Sequence, residues 1–163
     1  MQIFDKLNLP EFKKGEVWLV GAGPGDPRLL TIFALYALSE ANIIIYDALV
    51  SDEILSLSSR NATLVYAGKR GGKPSHSQEN ISELVIKYSL EGKKVLRLKG
   101  GDPYVFARGA EESFKLNENK ISYRVIPGIT SSIGGMASAS IPATSRNTNS
   151  CILFLTGHNS NGE

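Results

Sequence analysis

The sequence predicts an α/β protein with a mostly parallel five-stranded sheet and helices on both faces of that sheet. Short apolar runs alternate five times with segments whose apolar residues recur at helical spacing. The runs are continuously apolar, which is typical of parallel strands that are buried on both faces. The predicted strands are residues 17–20, 43–46, 63–66, 95–98 and 123–126.

The helices predicted between these strands have recognisable start signals. Asp26 is a suitable N-cap, and Pro27 a suitable first residue, for a helix over residues 28–40. A later helix starts near Ser75 and Gln78, which have the spacing of a capping box. The other predicted helices are residues 52–57, a segment from near Val105 to about Leu116, and residues 132–139.

Composition and charge exclude several classes of protein. The 163 residues suffice for one domain and part of another, and a hydrophobic content of 42% can build a core. The net charge of +2 is too balanced to indicate a nucleic-acid or membrane surface. Residues 1–14 lack the apolar core of a signal peptide, and no segment approaches the roughly 18 apolar residues of a membrane span. We therefore expect a cytoplasmic protein with no nucleic-acid or membrane partner.

The chain divides into four predicted segments. Residues 1–14 are an N-terminal extension, residues 15–142 the α/β domain, and residues 143–150 a polar linker. Residues 151–163 begin with a fresh apolar run, in which Cys151 is expected to be a small buried residue. This run is predicted to be the first strand of a truncated second domain that is otherwise largely absent. The alternative is an edge strand of the first domain.

Unusual residues follow all five predicted strands. The carboxyl ends of parallel strands open on one edge of a sheet, where α/β proteins bind their ligands. We therefore expect these loops to converge on one cleft. They are Gly21 to Pro27, Asp47, Lys69 with Arg70, Gly100 to Pro103, and Pro127 to Ser131.

Two nucleotide-binding patterns fit these loops badly. In the first loop, Asp26 stands where the dinucleotide fingerprint requires its third glycine, and Pro24 lacks an N–H for pyrophosphate. In the third, Lys73 is followed by Pro74, where a phosphate-binding P-loop requires Ser or Thr. Both patterns are therefore disfavoured.

Asp47 and Lys69 are a possible acid–base pair. A carboxylate and an ammonium group beside one cleft can accept and donate protons, but a salt bridge explains the pair equally well. His76, beside a predicted helix start, is more typical of a surface or capping histidine.

Six segments, in this order, closely resemble the tetrapyrrole methylase family. The resemblance covers about residues 15–158 and is specific because all six occur at suitable spacing. The segments are Gly21-Ala-Gly-Pro-Gly-Asp-Pro27, Tyr46-Asp47-x-Leu49-Val50, Gly68-Lys69-Arg70, Arg97-Leu-Lys-Gly-Gly-Asp-Pro103 with Val105-Phe106, Arg108-Gly109-x-Glu111-Glu112, and Ile126-Pro-Gly-Ile-Thr-Ser131.

The resemblance implies a methyltransferase that binds S-adenosylmethionine between two α/β domains and forms a homodimer when full length. It implies C-methylation of uroporphyrinogen III to precorrin-2, on the route to sirohaem and cobalamin. By position, Asp47 is the implied proton acceptor and Lys69 the implied proton donor, and no metal is implied. The implied cofactor contacts are Pro24, Gly100, Gly101, Asp102, Val105, Thr130 and Ser131.

Some features depart from the family pattern. Ser145 stands where relatives usually carry histidine, and the second domain, which supplies the other wall of the cleft in relatives, is largely missing. We therefore expect weak or absent activity from these 163 residues alone. As a further hypothesis, Arg70, Arg108 and Arg146 bind substrate carboxylates. The alternatives are a sister methylase acting on another substrate and a non-catalytic binding domain.

Overall fold

Five parallel strands form the centre of the fold. The computed structural model describes residues 2–68 and 78–157. The order across the sheet is β3-β2-β4-β1-β5, and every neighbouring pair is parallel. The predicted fold class is therefore confirmed. The strands are β1 (Val17–Gly21), β2 (Ile43–Tyr46), β3 (Thr63–Tyr66), β4 (Val95–Lys99) and β5 (Tyr123–Ile126).

Helices cover both faces of this sheet. Apolar residues of α2 and α3, including Ala34 and Ile54, share one core cluster with Trp18 of β1. Apolar residues of α4 and α5, including Val85 and Leu116, share a second cluster on the other face. The helices are α1 (Gln2–Lys6), α2 (Ile32–Glu40), α3 (Asp52–Leu55), α4 (Gln78–Leu90), α5 (Gly109–Glu118) and α6 (Ser131–Ser138).

The crossover connections open a crevice between β1 and β4. The connection from β1 to β2 runs through α2 on one face, whereas the connection from β4 to β5 runs through α5 on the other. Because β1 and β4 are neighbours, the loops that follow them diverge to opposite faces. In open α/β sheets such a switch point is where ligands bind.

The central strand β4 carries charge on one of its faces. Side chains alternate along a strand, and Val95 belongs to the cluster beneath α4 and α5. Arg97 and Lys99 have the same parity as Val95, so they point to that face, where both are fully buried. The opposite face of β4 is apolar, with Leu96 and Leu98 in the other cluster.

The predicted helix over residues 28–40 is wrong in its first turn. The carboxylate of Asp26 does cap residue 28, but Pro27–Leu29 is a 3₁₀ turn that ends in extended backbone. The α-helix begins only at Ile32, because Thr31 provides a second cap by accepting a hydrogen bond from the N–H of Ala34 at 3.0 Å.

The helix after β4 also begins later than predicted. Phe106 and Arg108 have φ angles of 52° and 57°. A right-handed helix cannot include left-handed residues, so α5 starts at Gly109 rather than near Val105. The intervening loop therefore stays open beside the crevice.

The N-terminal extension packs onto the domain. Phe12 is fully buried and stacks on Trp18 with ring centroids 4.0 Å apart and planes 7° apart. Residue 12 therefore belongs to the same core as α2 and the sheet.

The C-terminal segment forms neither the predicted strand nor a buried site for Cys151. Residues 151–156 lie outside any helix or strand, and Cys151 is exposed. The prediction that Cys151 is buried is therefore wrong. A strand needs a paired neighbour, and the described sheet ends at β3 and β5, so the prediction that residues 151–163 begin a second domain stays a prediction. None of the described helices combines the length and the apolar character needed to cross a membrane.

Candidate active site

A cleft of about 1420 Å³ lies along the carboxyl edge of the sheet. Loops after all five strands contribute to its lining, which confirms the predicted convergence. The lining includes Gly23 and Pro24 after β1, Asp47 after β2, Gly68 after β3, Gly100, Gly101 and Val105 after β4, and Thr130 and Ser131 after β5.

Glycine backbone forms the floor of this cleft. A Cβ atom on Gly21 would lie 2.5 Å from both the carbonyl oxygen of Gly101 and the nitrogen of Gly128. Only glycine permits so close an approach of three backbone segments. Gly23 and Gly101 also exchange backbone hydrogen bonds of 3.1 and 2.8 Å, so the turns after β1 and β4 are locked together.

Asp102 fastens the turn after β4 to the turn after β5. One carboxylate oxygen accepts a hydrogen bond of 2.8 Å from the N–H of Tyr104, and the other accepts one of 3.1 Å from the N–H of Gly128. Asp102 is not among the residues that line the cleft. Its observed contacts hold the floor in shape, and its predicted contact with a cofactor stays a prediction.

A cluster of four charged side chains lies beneath the cleft. Arg97 donates to Asp47 Oδ1 over 2.5 Å and to Glu112 Oε1 over 3.1 Å. Lys99 donates to the same oxygen of Glu112 over 3.0 Å, and its Nζ lies 3.7 Å from Asp47 Oδ2. We call Asp47, Arg97, Lys99 and Glu112 the charge cluster.

The charge cluster is buried except where it reaches the cleft. The side chains of Arg97, Lys99 and Glu112 are 2 to 4% exposed, whereas that of Asp47 is 27% exposed. Burial lowers the pKa of Lys99, and the neighbouring charge of Arg97 lowers it further, while Glu112 and Asp47 act in the opposite direction. Asp47, Arg97 and Lys99 all line the cleft, and Asp47 is the member whose side chain is most exposed to a ligand there.

The sequence contains a signal for this cluster, although Arg97, Lys99 and Glu112 were not predicted as site residues. Arg97 and Lys99 alternate within a strand that is otherwise apolar, and buried cations require buried anions. Glu112, which stands on the helix that follows, satisfies this requirement.

Most of the predicted site residues are brought together. Of those that the structure describes, all except Asp102 line the cleft: Pro24, Asp47, Gly100, Gly101, Val105, Thr130 and Ser131. Lys69, Arg70 and His76 lie outside the described residues. The predicted pairing of Asp47 with Lys69 therefore stays a prediction.

The two described arginines suggested as carboxylate partners differ in position. Arg108 lines the cleft and forms an exposed ion pair with Glu111, with Nη2 at 2.6 Å from Oε2. Arg146 is exposed and does not line the cleft. Among residues 2–68 and 78–157, no group of three or more His, Cys, Asp or Glu side chains could hold a metal ion.

This architecture has close counterparts among known proteins. The sequence profile of the family described as Tetrapyrrole (Corrin/Porphyrin) Methylases matches residues 16–163. A uroporphyrinogen-III C-methyltransferase of Sinorhizobium sp is 54% identical over 154 residues, which cover 94% of this chain and 55% of that protein. The chain thus spans about half the length of this relative.

Solved structures show the same fold. A crystal structure of uroporphyrin-III-C-methyltransferase from Thermus thermophilus superposes with a TM-score of 0.73 at 40% identity, covering 82% of this chain and 56% of that one. A second structure of the Thermus thermophilus enzyme, complexed with S-adenyl homocysteine, has a TM-score of 0.68 at 40% identity, covering 81% and 54%. With the match over residues 16–163, these similarities show that the chain belongs to the tetrapyrrole methylase family.

Proposed function

We propose that this chain forms one wall of the S-adenosylmethionine site of a methyltransferase that converts uroporphyrinogen III to precorrin-2. One observation carries the proposal: a glycine-floored cleft lies at the switch point of the sheet, with the carboxylate of Asp47 at its edge. The relatives named above, which are uroporphyrin(ogen)-III C-methyltransferases, support the substrate.

The residues of the cleft fit such a cofactor. Gly100 and Gly101 present backbone without side chains, and a Cβ on Gly100 would already meet the Cβ of Leu49 at 2.8 Å. The volume of about 1420 Å³ exceeds the range of roughly 300 to 1000 Å³ that is typical of small-ligand sites. This leaves room for part of a large second substrate. The residues that would hold the cofactor are Pro24, Gly100, Gly101, Val105, Thr130 and Ser131.

Methyl transfer to a carbon atom requires that the reacting groups are aligned and that a base accepts a proton. When bound, S-adenosylmethionine supplies an electrophilic methyl group on a positively charged sulfur. A rigid floor aligns reacting groups, and such alignment can lower a barrier by roughly 7 to 11 kcal/mol. The tetrapyrrole must also lose a proton, and Asp47 can accept it through the oxygen that Arg97 does not hold. Lys69 is proposed as the proton donor.

Arginine side chains are proposed to bind the carboxylates of the tetrapyrrole. Arg108 is the best placed described residue, because it lines the cleft. Its present partner, Glu111, has a side chain that is 54% exposed, and exposed ion pairs contribute little free energy. A substrate carboxylate can therefore replace Glu111 at small cost. Arg70 and Arg146 are proposed for the same role.

The organisation of the whole protein follows from the same proposal. Residues 143–150 are proposed to be a linker, and residues 151–163 the first strand of a second domain. The exposed side chains of Leu153 and Leu155, at 76% and 78%, support a partner for this segment. We propose a cytoplasmic homodimer when the second domain is present, and weak or absent turnover by the 163 residues alone.

Calorimetric titration with S-adenosylhomocysteine tests the cofactor site. The protein expressed from the complete gene should bind it, and Gly101→Val should abolish binding because Gly101 has a φ of 65° on the cleft floor. Gly135→Ala is the matched control, since a Cβ there would meet no atom within 4 Å. Transfer of a labelled methyl group to uroporphyrinogen III then tests the reaction. Binding without transfer to any tetrapyrrole would instead favour a non-catalytic binding domain.

A further inference from the structure

Lys99 and Glu112 are buried charges that the proposed reaction does not use directly. Their side chains are 3% and 4% exposed, and Lys99 reaches the lining of the cleft whereas Glu112 does not. Placing two charges in a sheet-and-helix interface costs several kcal/mol per ion unless each is paired. Here each charge has a partner, and the paired charges lie directly behind Asp47.

Glu112 is one of the groups that orient Arg97. Its Oε1 accepts hydrogen bonds from both Arg97 Nε and Lys99 Nζ. The remaining nitrogens of Arg97 donate to the carbonyl oxygens of Ile45 and Leu98 and to Asp47 Oδ1. The guanidinium is thus held by four acceptors, of which Glu112 is the charged one besides Asp47.

Lys99 controls the other oxygen of Asp47. Its Nζ lies 3.7 Å from Oδ2, which is too far for a hydrogen bond but close enough for a strong electrostatic effect. Oδ1 is held by Arg97. Oδ2 therefore remains the oxygen that can accept a proton from the cleft, in the field of a neighbouring ammonium group.

We propose that Lys99 and Glu112 are positioning residues for Asp47, which act through Arg97 and through their own opposite charges to set its orientation and protonation. The inference rests on the proposed function, in which Asp47 accepts a proton. The two anions and two cations balance, so removing either Lys99 or Glu112 leaves an uncompensated charge of known sign beside Asp47.

Other polar groups near Asp47 are few in the described structure. The exposed Arg108–Glu111 pair stands at the start of α5 and is internally neutral. The buried hydroxyl of Tyr66 on β3 lies beside Gly68, where an added Cβ would meet it at 2.5 Å. Neither group changes charge when Lys99 or Glu112 is replaced. The direction in which the pH dependence of kcat shifts is therefore set by the charge of the replaced residue.

The test compares Lys99→Met with Glu112→Gln in the protein expressed from the complete gene. Lys99→Met leaves an excess negative charge beside Asp47, which favours the protonated carboxyl. In a plot of kcat against pH, the acidic limb should therefore move to higher pH. For a unit charge 3.7 Å away the shift should lie between about one pH unit, at the dielectric constant of water, and roughly three pH units, at the effective value of about 20 found in proteins. Glu112→Gln leaves an excess positive charge, so the limb should move to lower pH by a smaller amount.

Matched controls make the same chemical changes at the other end of β4. Lys94 and Glu40 form a partly buried ion pair of 2.9 Å beside the start of that strand. Lys94→Met and Glu40→Gln should leave the acidic limb in place. In the cluster variants kcat at the plateau should fall about tenfold, because Asp47 loses its orientation, while KM for S-adenosylmethionine changes less than about twofold.

A double variant and a second readout keep the inference falsifiable. Lys99→Met/Glu112→Gln restores charge balance, so its limb should return to within about 0.3 pH unit of the wild-type position. If Lys99→Met does not fold, the double variant is compared with Glu112→Gln alone. Carboxyl-carbon NMR of Asp47 against pH should show the same shifts of the titration midpoint without any need for turnover.

The possible results separate the two claims. Absence of methyl transfer by the wild-type protein refutes the proposed function, and the NMR midpoints then decide the inference by themselves. An active wild-type protein whose variants shift in the same direction, or no more than the Lys94 and Glu40 controls, refutes the inference. Opposite shifts that cancel in the double variant support it.

Discussion

Gly21→Ala tests whether the glycine floor determines both stability and cofactor binding. The added Cβ would lie 2.5 to 2.6 Å from atoms of Gly101 and Gly128, whereas non-bonded carbon atoms prefer 3.5 to 4.0 Å. The turns after β4 and β5 must therefore move by about 1 Å, because neither contact is with a flexible side chain. Overpacking of this kind costs roughly 1 to 3 kcal/mol of unfolding free energy.

The effect on binding should be larger than the effect on folding. A displacement of about 1 Å in a positioned site can cost on the order of 100-fold in activity, so we expect at least a tenfold loss of S-adenosylhomocysteine affinity. Urea unfolding followed by the fluorescence of Trp18 measures stability, and calorimetry measures binding.

The control for Gly21→Ala is Gly135→Ala in α6. Here a Cβ meets no atom within 4 Å, and alanine in a helix is favoured over glycine by roughly 0.5 to 1 kcal/mol. This variant should be as stable as wild type or slightly more so. Unchanged stability and unchanged affinity in Gly21→Ala would refute the argument that these three backbones must touch.

Three further predictions concern stability. Phe12→Ala should lower the unfolding free energy by about 3 to 5 kcal/mol in urea, because Phe12 is fully buried on Trp18, whereas Ile3→Ala, at a residue 52% exposed, should change it little. Asp102→Ala should cost about 2 kcal/mol in the same assay and weaken cofactor binding, because two N–H groups lose their acceptor; equal stability would contradict this role. The pKa of Lys99 is lowered in the folded state, so the contribution of Lys99 to the free energy of unfolding should rise with pH between that lowered value and the usual 10.5. The difference in unfolding free energy between wild type and Lys99→Met should therefore grow over this pH range. A constant difference would argue against the lowered pKa.

Local patterns predicted the strands well and the helix starts less well. The run at residues 63–66 is the observed β3, because a short apolar, β-branched segment favours extended backbone even at the edge of the sheet, where residues 63 and 64 are exposed. The helix before β2 starts at Ile32 because Thr31 competes with Asp26 as a cap, and two adequate caps cannot be ranked from sequence alone. The left-handed residues that delay α5 are not glycines, so no local signal marked them.

In the candidate site, too, local sequence patterns predicted some residues and missed others. Glycine turns and Asp47 were predicted because they follow strands, and strand ends converge in any parallel sheet. The partners of Asp47 were not predicted. Arg97 is 50 residues away in the chain, and its bond to Asp47 depends on β2 and β4 being neighbours.

The sequence by itself determined the alternation of strands and helices, the loops that carry glycine and acid, and membership of the family. Only the tertiary structure decided that β4 lies between β2 and β1. That order places Arg97 and Lys99 beside Asp47, and it places Gly101 against Gly21 and Gly128. Periodicity reports only which face of an element is buried, whereas strand order is set by crossovers and packing between segments far apart in the chain.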